Sequence, residues 1–479
     1  MLLEWFPKLR ESKTINVIKK FLYSKYYIIM FGVMTFLCHL FGFEIPYYYG
    51  VVLVSVTLPA LICDDFLPII APLAMTYSSV SLKSNNTRFK TSLFGGDKVI
   101  HMYILIGLIV LSLLPKLIYD IVKKPERRRI PALLWGFAIL GPCYVLGGVF
   151  TPYWKQDTIL YGLVNFLSIS GCYFILLYAI DWKKVSKDYF FWVMTVYGLA
   201  VAFEVVYMLI EIKTGNTSFI SWRGHLFTGW GMRNNIAGQI CLCVAAPIYL
   251  AYKHEKWSWL FMLFSIIMVV GCGLTNSRGG LLTAILFLVV ALVIYFRYAN
   301  KKQRYTGLIV LGTCVIGLTV FSIIKRDTVT ELLSRFFNEE LSIDDPTSFT
   351  QGRNVTWSHG IEHFLENELT GVGFFQCKDF IFYNFSTGFI PPRYHNIYIQ
   401  YLASTGLMGL TAYFVHRYQT LKMTFKKPTL EKSFIYLSIA ALIFGSLFDN
   451  HFFNLGPGLN YCIALAFIEG MNIQMEENN

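Results

Sequence analysis

The sequence predicts an all-α, polytopic integral membrane protein of about 12–14 transmembrane helices with one large extracytoplasmic loop. Three observations carry this. The 479 residues are 55% hydrophobic and only 15% charged, a balance that soluble domains rarely show. Apolar runs of roughly 18 or more residues recur from end to end. Lysine and arginine concentrate in short loops between those runs, a pattern of membrane topology. The net charge of +12 is therefore not a nucleic-acid footprint, and no nucleic-acid partner is expected.

In chain order the expected spans are residues 26–43, 47–63, 66–82, 99–118, 131–150, 158–180, 189–212, 235–252, 257–274, 279–296, 305–324, 395–416, 432–447 and 453–469. Each is an apolar run closed by charge, glycine or proline. The third is short and holds Pro68 and Pro72. The chain divides into N-terminal spans (1–213), spans with arginine-bearing outer loops (214–324), a large outer loop (325–394) and C-terminal spans (395–479). The start, MLLEWFPKLRESKTINVIKK, is interrupted by charge and does not read as a cleavable signal. Nearly all ten cysteines fall in apolar runs as small hydrophobes, and Cys377 alone stands clearly in the long loop, so no disulfide framework is expected.

Orientation follows from the basic loops KKPERRR, DWKKVSKD, RYANKKQR and RYQTLKMTFKK, which the positive-inside rule places in the cytoplasm with both termini. The basic loop at residues 81–98 falls outside in this scheme and runs against the rule. Four polar stretches then share the outer side: residues 214–235, the turn TNSRGG, residues 325–394 and DNHFFN. Within the long loop Trp357, Ile361, Phe364 and Leu365 fall near one face of a short helix that stops at Gly371.

Those stretches hold the candidate chemistry. Arg278 stands at the end of a span between Ser277 and two glycines, which permit close approach of a ligand or another backbone. A snorkelling helix anchor accounts for it equally well. Arg353 opens the loop helix, and Arg223 and Arg233 are weaker candidates in a flanking loop. Histidine is the side chain suited to act as a base near neutral pH, and His395 sits with Asn396 where the loop meets a span; a backbone-bonded interfacial histidine is the alternative. Gly406 and Gly409 follow at a spacing that shares one helix face, for close packing of a neighbouring helix. Asp449 and His451 form a second pair, otherwise read as a solvated turn. Asp344 and Asp345 are two adjacent carboxylates, more simply a turn than a cation site; no metal and no cofactor is expected. Arginine forks match phosphate oxygens, so an outer face with arginines and a histidine suits a membrane-borne anion.

The H-N pair His395–Asn396 followed by Gly406 and Gly409, the S-R-G turn at 277–279, and G-R-x-x-x-W at 352–357 with G-x-G at 371–373 together resemble the signature of the O-antigen ligase and polymerase family. The resemblance covers residues 214–469; the span at 305–324 is extra, and GWGMRNNIAG departs from the family's usual F-x-N-P-N-type stretch. It implies a GT-C-like, metal-independent glycosyltransferase in the bacterial inner membrane, active on the outer (periplasmic) face. The implied donor is an undecaprenyl-diphosphate-linked glycan. The acceptor is lipid A–core for a ligase, toward which the spacing after the H-N pair leans, or a second lipid-linked glycan for a polymerase. By carry-over Arg278 and Arg353 hold diphosphate, His395 activates or orients the acceptor hydroxyl, and Arg223, Asn396 and Asn235 are further substrate-binding candidates. Further partners implied are the bilayer and a chain-length regulator or flippase of the same pathway. A transporter of polyprenyl-linked or anionic substrates is the reading from another class; it predicts internal symmetry and mid-membrane charge, for which Glu204 is the main acidic residue well inside a span. A scaffolding membrane protein is a third reading, and it leaves the outer arginines and histidine unexplained.

The topology has a direct check. A cysteine introduced at Ser358 reacts with a membrane-impermeant reagent in intact cells or spheroplasts; labelling only after lysis overturns the orientation.

Overall fold

The computed structural model describes residues 12–41, 45–79, 82–84, 87–91, 99–124, 129–152, 154–214, 226–326, 330, 353–374 and 394–477. Arg223, Asp344, Asp345, Gly352 and Cys377 lie outside the described residues.

The helices follow the apolar runs. Helix α1 (Lys13–Leu22) meets α2 (Lys25–Phe41) at a 66° bend. Helix α3 (Ile45–Val52) continues through a π turn at Leu53–Thr57 into α4 (Leu58–Ile62), and α5 (Ile70–Met75) follows a 3-10 turn at Leu67–Ile69. A small hairpin, β1 (Leu82–Ser84) with β2 (Thr87–Thr91), leads to α6 (Val99–Lys123), α7 (Leu134–Leu146), α8 (Gln156–Ala179) and α9 (Tyr189–Thr214). A second hairpin, β3 (Phe227–Thr228) with β4 (Gly231–Met232), opens α10 (Arg233–Cys243), which runs on into α11 (Ala245–Lys253). Then come α12 (Ser258–Leu274), α13 (Arg278–Tyr298), α14 (Lys301–Ile324), α15 (Arg353–Glu366), α16 (Ile397–Phe425), α17 (Leu430–Gly445) and α18 (Leu455–Glu477). Among the described residues seven helices are long and apolar enough to cross a membrane, or eight if α1 and α2 form one span. The protein is therefore an all-α polytopic membrane protein.

Charge sorts the bundle into two ends. At one end lie the ion pairs Lys19–Asp64, Lys124–Asp120 and Lys426–Glu476, the Asn300–Gln303 capping box, and the bonds from Tyr249 to Asp188 and Glu431. The described parts of the basic loops that the charge pattern groups together are thus grouped in space. At the other end His39 bonds Glu204 at 3.0 Å and Ser79 at 3.0 Å, and β2 lies against β3.

The expected span at 66–82 is realised as a short, buried passage, not a full helix. Asp65 bonds Tyr23 at the basic end and Ser79 bonds His39 at the other, yet α5 has only six residues. Pro68 and Pro72 lack the N–H donors that a longer helix needs. The irregular backbone is tolerated because neighbours satisfy it: Phe66 N donates to Ala179 O (3.1 Å) and Trp230 Nε1 to Met75 O (2.8 Å). This passage carries β1 and β2 to the far end from the ion pairs named above.

Two expectations for the 325–394 loop and its following span are corrected. Gly406 and Gly409 do not offer a face to a neighbouring helix. Gly406 has φ +62° and breaks α16, and the turn after α15 inserts at the break: Leu407 N donates to Glu368 O, Met408 N to Leu369 O, Val372 N to Ala403 O and Gly373 N to Ser404 O. Gly409 sits over Thr405 of its own helix. Likewise Ile361 (47% exposed) and Leu365 (60%) point away from the protein, while Gly360 and His363 form the buried face of α15. Gly360 is what lets α15 reach Ile399 and Tyr394, whose side chains leave no room for a Cβ.

A Cβ at Gly406 would lie 2.4 Å from the Leu369 carbonyl. Gly406→Ala is expected to lose about 2 kcal/mol or more, read as a lowered melting temperature in detergent. Gly312→Ala, with open space around it, stays within about 0.5 kcal/mol.

Candidate functional site

The site is built where helix starts converge. Four helices, α10, α13, α15 and α16, begin around the turn at residues 446–454. Asn234 of α10 bonds Asp449. Gly279 and Gly280 of α13 rest on Phe448 and Ala237, where an added Cβ would come within 2.5 Å of each. Their small size thus serves packing between α13, α10 and the turn. Arg353 at the start of α15 lies within the field of both Asp449 and Arg278. Asn396 caps α16, its Oδ1 accepting from Tyr398 N (2.9 Å) and Ile399 N (3.3 Å), while Nδ2 donates to Leu447 O (3.2 Å). Helix starts carry unpaired N–H groups and partial positive charge, so this gathering favours an anion.

At the centre His395 Nδ1 lies 2.9 Å from Asp449 Oδ1. His395 adopts φ +52°, a left-handed conformation uncommon outside glycine, which turns its ring toward the 446–454 turn. Asp449 is buried and its ring partner is 41% exposed, so one edge of the histidine faces the protein and the other is open. Burial by itself pushes the Asp449 carboxyl up; the hydrogen bond and charge of His395, with His451 and Arg353, outweigh it and hold the carboxyl well below the usual carboxylate range. An ionised Asp449 takes the proton-bearing Nδ1, which leaves Nε2 as the basic nitrogen. Burial, opposed by Asp449 and aided by the like charge of Arg278, lowers the Arg353 guanidinium from its ordinary value.

The structure brings Arg278, Arg353 and His395 to one place and adds Asp449, whose reading as a solvated turn is corrected by its burial and its bond to His395. His451 packs its ring on Gly238 and acts on Asp449 through its charge. Asn396 is a helix cap, its side chain occupied by backbone groups, and Asn235 Oδ1 accepts from Asn454 at 2.8 Å. The neighbour Asn234 makes the contact with Asp449. Which of two adjacent asparagines faces the site is set by the start of α10, and no sequence signal separates them. Among the described residues no group of three or more His, Cys, Asp and Glu is placed to hold a metal ion.

Fold and site together define a polytopic membrane protein with two arginines gathered beside an Asp–His pair at one end of its bundle. Residues 263–414 match the family model described as O-Antigen ligase, which supports assignment to the O-antigen ligase and polymerase family. The match spans the S-R-G turn, Arg353 and His395. It supports a membrane glycosyltransferase-like role in O-antigen assembly. No curated protein matches the chain.

Because the Asp449 carboxyl is lowered in the folded state, it contributes stability that is fully present above the unfolded value near pH 4 and is lost as pH falls through the folded value. Asp449→Asn is therefore expected to melt earlier than the parent at pH 7. The difference narrows as the pH drops below about 4. An unchanged difference across that window refutes the pairing.

Proposed function

We propose that this protein transfers a glycan from undecaprenyl diphosphate to a sugar hydroxyl on the outer face of the bacterial inner membrane, without a metal. The acceptor hydroxyl oxygen bonds to the anomeric carbon as the bond to the diphosphate oxygen breaks. The leaving diphosphate keeps the electron pair, and the hydroxyl proton passes to His395 Nε2. Arg278 and Arg353 face the growing charge on the diphosphate, where preorganised donors lower the barrier most. Asp449 is a positioning residue that fixes the tautomer and stabilises the imidazolium as it forms. The observation that carries this reading is the His395–Asp449 bond beside two arginines, with His395 and both arginines, though not Asp449, inside the family match.

We read the acceptor as lipid A–core, the ligase reaction, from the spacing after the H-N pair. The polymerase reaction uses the same residues on a second lipid-linked glycan. The chain-length regulator and flippase remain proposed partners, and Arg223 a proposed substrate contact. A transporter reading loses its main clue, since Glu204 accepts from Gly229 N (3.0 Å) and His39, as a buried brace for the 227–232 hairpin.

His395→Ala, inserted and folded, is expected to lower transfer about a hundredfold or more. His395→Gln separates roles: activity retained means that the residue orients the hydroxyl, whereas loss matching alanine means that it takes the proton. Wild-type transfer by the alanine variant ends the assignment. In a deletion strain, lipid-linked polymer accumulating with none attached means ligase. A single attached repeat without a ladder means polymerase.

A further inference from the structure

Gln400 stands one turn into α16 and is fully buried at 0% exposure. Its Oε1 accepts from Asn450 Nδ2 at 2.6 Å and from Tyr394 N at 3.3 Å. Its Nε2 donates to Ser404 Oγ at 2.8 Å. The orientation of the amide is not ambiguous, because a backbone N–H can only donate and so fixes which end is oxygen. One oxygen atom thus holds the residue before His395 and the residue after Asp449. Those two tethers bracket the 2.9 Å contact between the ring and the carboxylate.

His395 needs such a tether. Its φ of +52° is costly for a residue with a side chain and persists only where the surroundings over-determine it. Tyr394 is also held by His363 Nδ1 through its hydroxyl at 2.6 Å, but that bond acts at the far end of a side chain. The bond to Gln400 acts on the backbone immediately ahead of the strained residue. On the Asp449 side, Asn450 N closes on Asp449 Oδ1 at 2.7 Å, so a shift of Asn450 carries the carboxylate with it.

We propose that Gln400 is a positioning residue for the transfer reaction, its side-chain oxygen joining the backbone just before His395 to the side chain of Asn450, the residue after Asp449, so that the base is held in line for the acceptor hydroxyl. It touches neither substrate and acts only through the pair. This rests on the proposed role of His395 and Asp449.

The test uses full-length enzyme in nanodiscs with the lipid-linked glycan of its own cell as donor. Gln400→Leu keeps the bulk and deletes the acceptor. It is expected to lower kcat at least tenfold, with donor KM changed less than threefold, since the arginines are untouched. Gln400→Glu restores most of the rate, because a neutral buried carboxyl accepts both bonds and donates to Ser404. Gln400→Asn, one methylene short, stays as slow as leucine. In the Asp449→Asn background, Gln400→Leu adds less than a twofold further loss if it acts through the pair, and its full loss if it acts elsewhere. Should the leucine variant not insert, Asn450→Ser severs the same tether and is expected to show the same kcat loss. Wild-type kcat in Gln400→Leu or Asn450→Ser, with Asp449→Asn impaired, overturns the inference alone. Wild-type kcat in Asp449→Asn overturns the reading beneath it.

Discussion

The structure at the candidate site depends on one buried carboxylate. An ionised Asp449 away from bulk water is tolerable only if cations and donors surround it. Each of those groups comes from a different part of the chain: Asn234 from α10, Arg353 from α15 and His395 from the start of α16. Satisfying one charge therefore ties separate helices together. Arg278 joins the same electrostatic field from α13 through its effect on Arg353. The cluster that results carries more positive than negative charge, which suits the diphosphate proposed to bind there.

The start of α16 is constrained twice. Asn396 caps the helix and ties it to Leu447, and Ile397 N donates to Ser446 O at 2.9 Å. Deeper in the helix, the break at Gly406 accepts the turn after α15, so the described end of the large loop is stitched into the bundle by backbone hydrogen bonds. Gly148 N adds a further bond to Thr370 O at 2.9 Å, joining the end of α7 to the same turn. Arg353 rides on α15 and is thereby held against the C-terminal helices. A helix break that exposed its N–H and C=O groups to lipid would be expensive; filled by another segment, it becomes an attachment point.

A second buried polar unit braces the same end. Glu204 and His39, nearly inaccessible, hold the Gly229 turn, and Trp230 packs edge-on against His39 at 4.4 Å. Gln239 Nε2 closes on Trp230 O at 3.1 Å. This fixes the hairpin that leads into Asn234. The opposite end of the bundle instead uses surface pairs such as Lys426–Glu476, which are individually weak but keep charge in water.

Apolar run length and the placement of lysine and arginine determined the all-α membrane class and where most of its helices run. They do so because a bilayer imposes local rules that a single segment must satisfy. Arg278, Arg353 and His395 were legible as candidates because a charged or titratable group at a membrane boundary needs a reason. Only the tertiary structure decided that Asp449 belongs under His395, that Asn234 rather than Asn235 meets it, and that Gln400 links Tyr394 N to the Asn450 side chain. Asp449 lies 54 residues from His395 in sequence, and the bond depends on how α16 and α17 pack. Gly406 makes the same point. Its spacing from Gly409 suggested a smooth helix face, but the positive φ came from a loop segment docking into the break, a contact that local sequence does not encode. The short passage at 66–79 crosses the bundle because neighbours supply its missing hydrogen bonds, which again only the packed structure could decide.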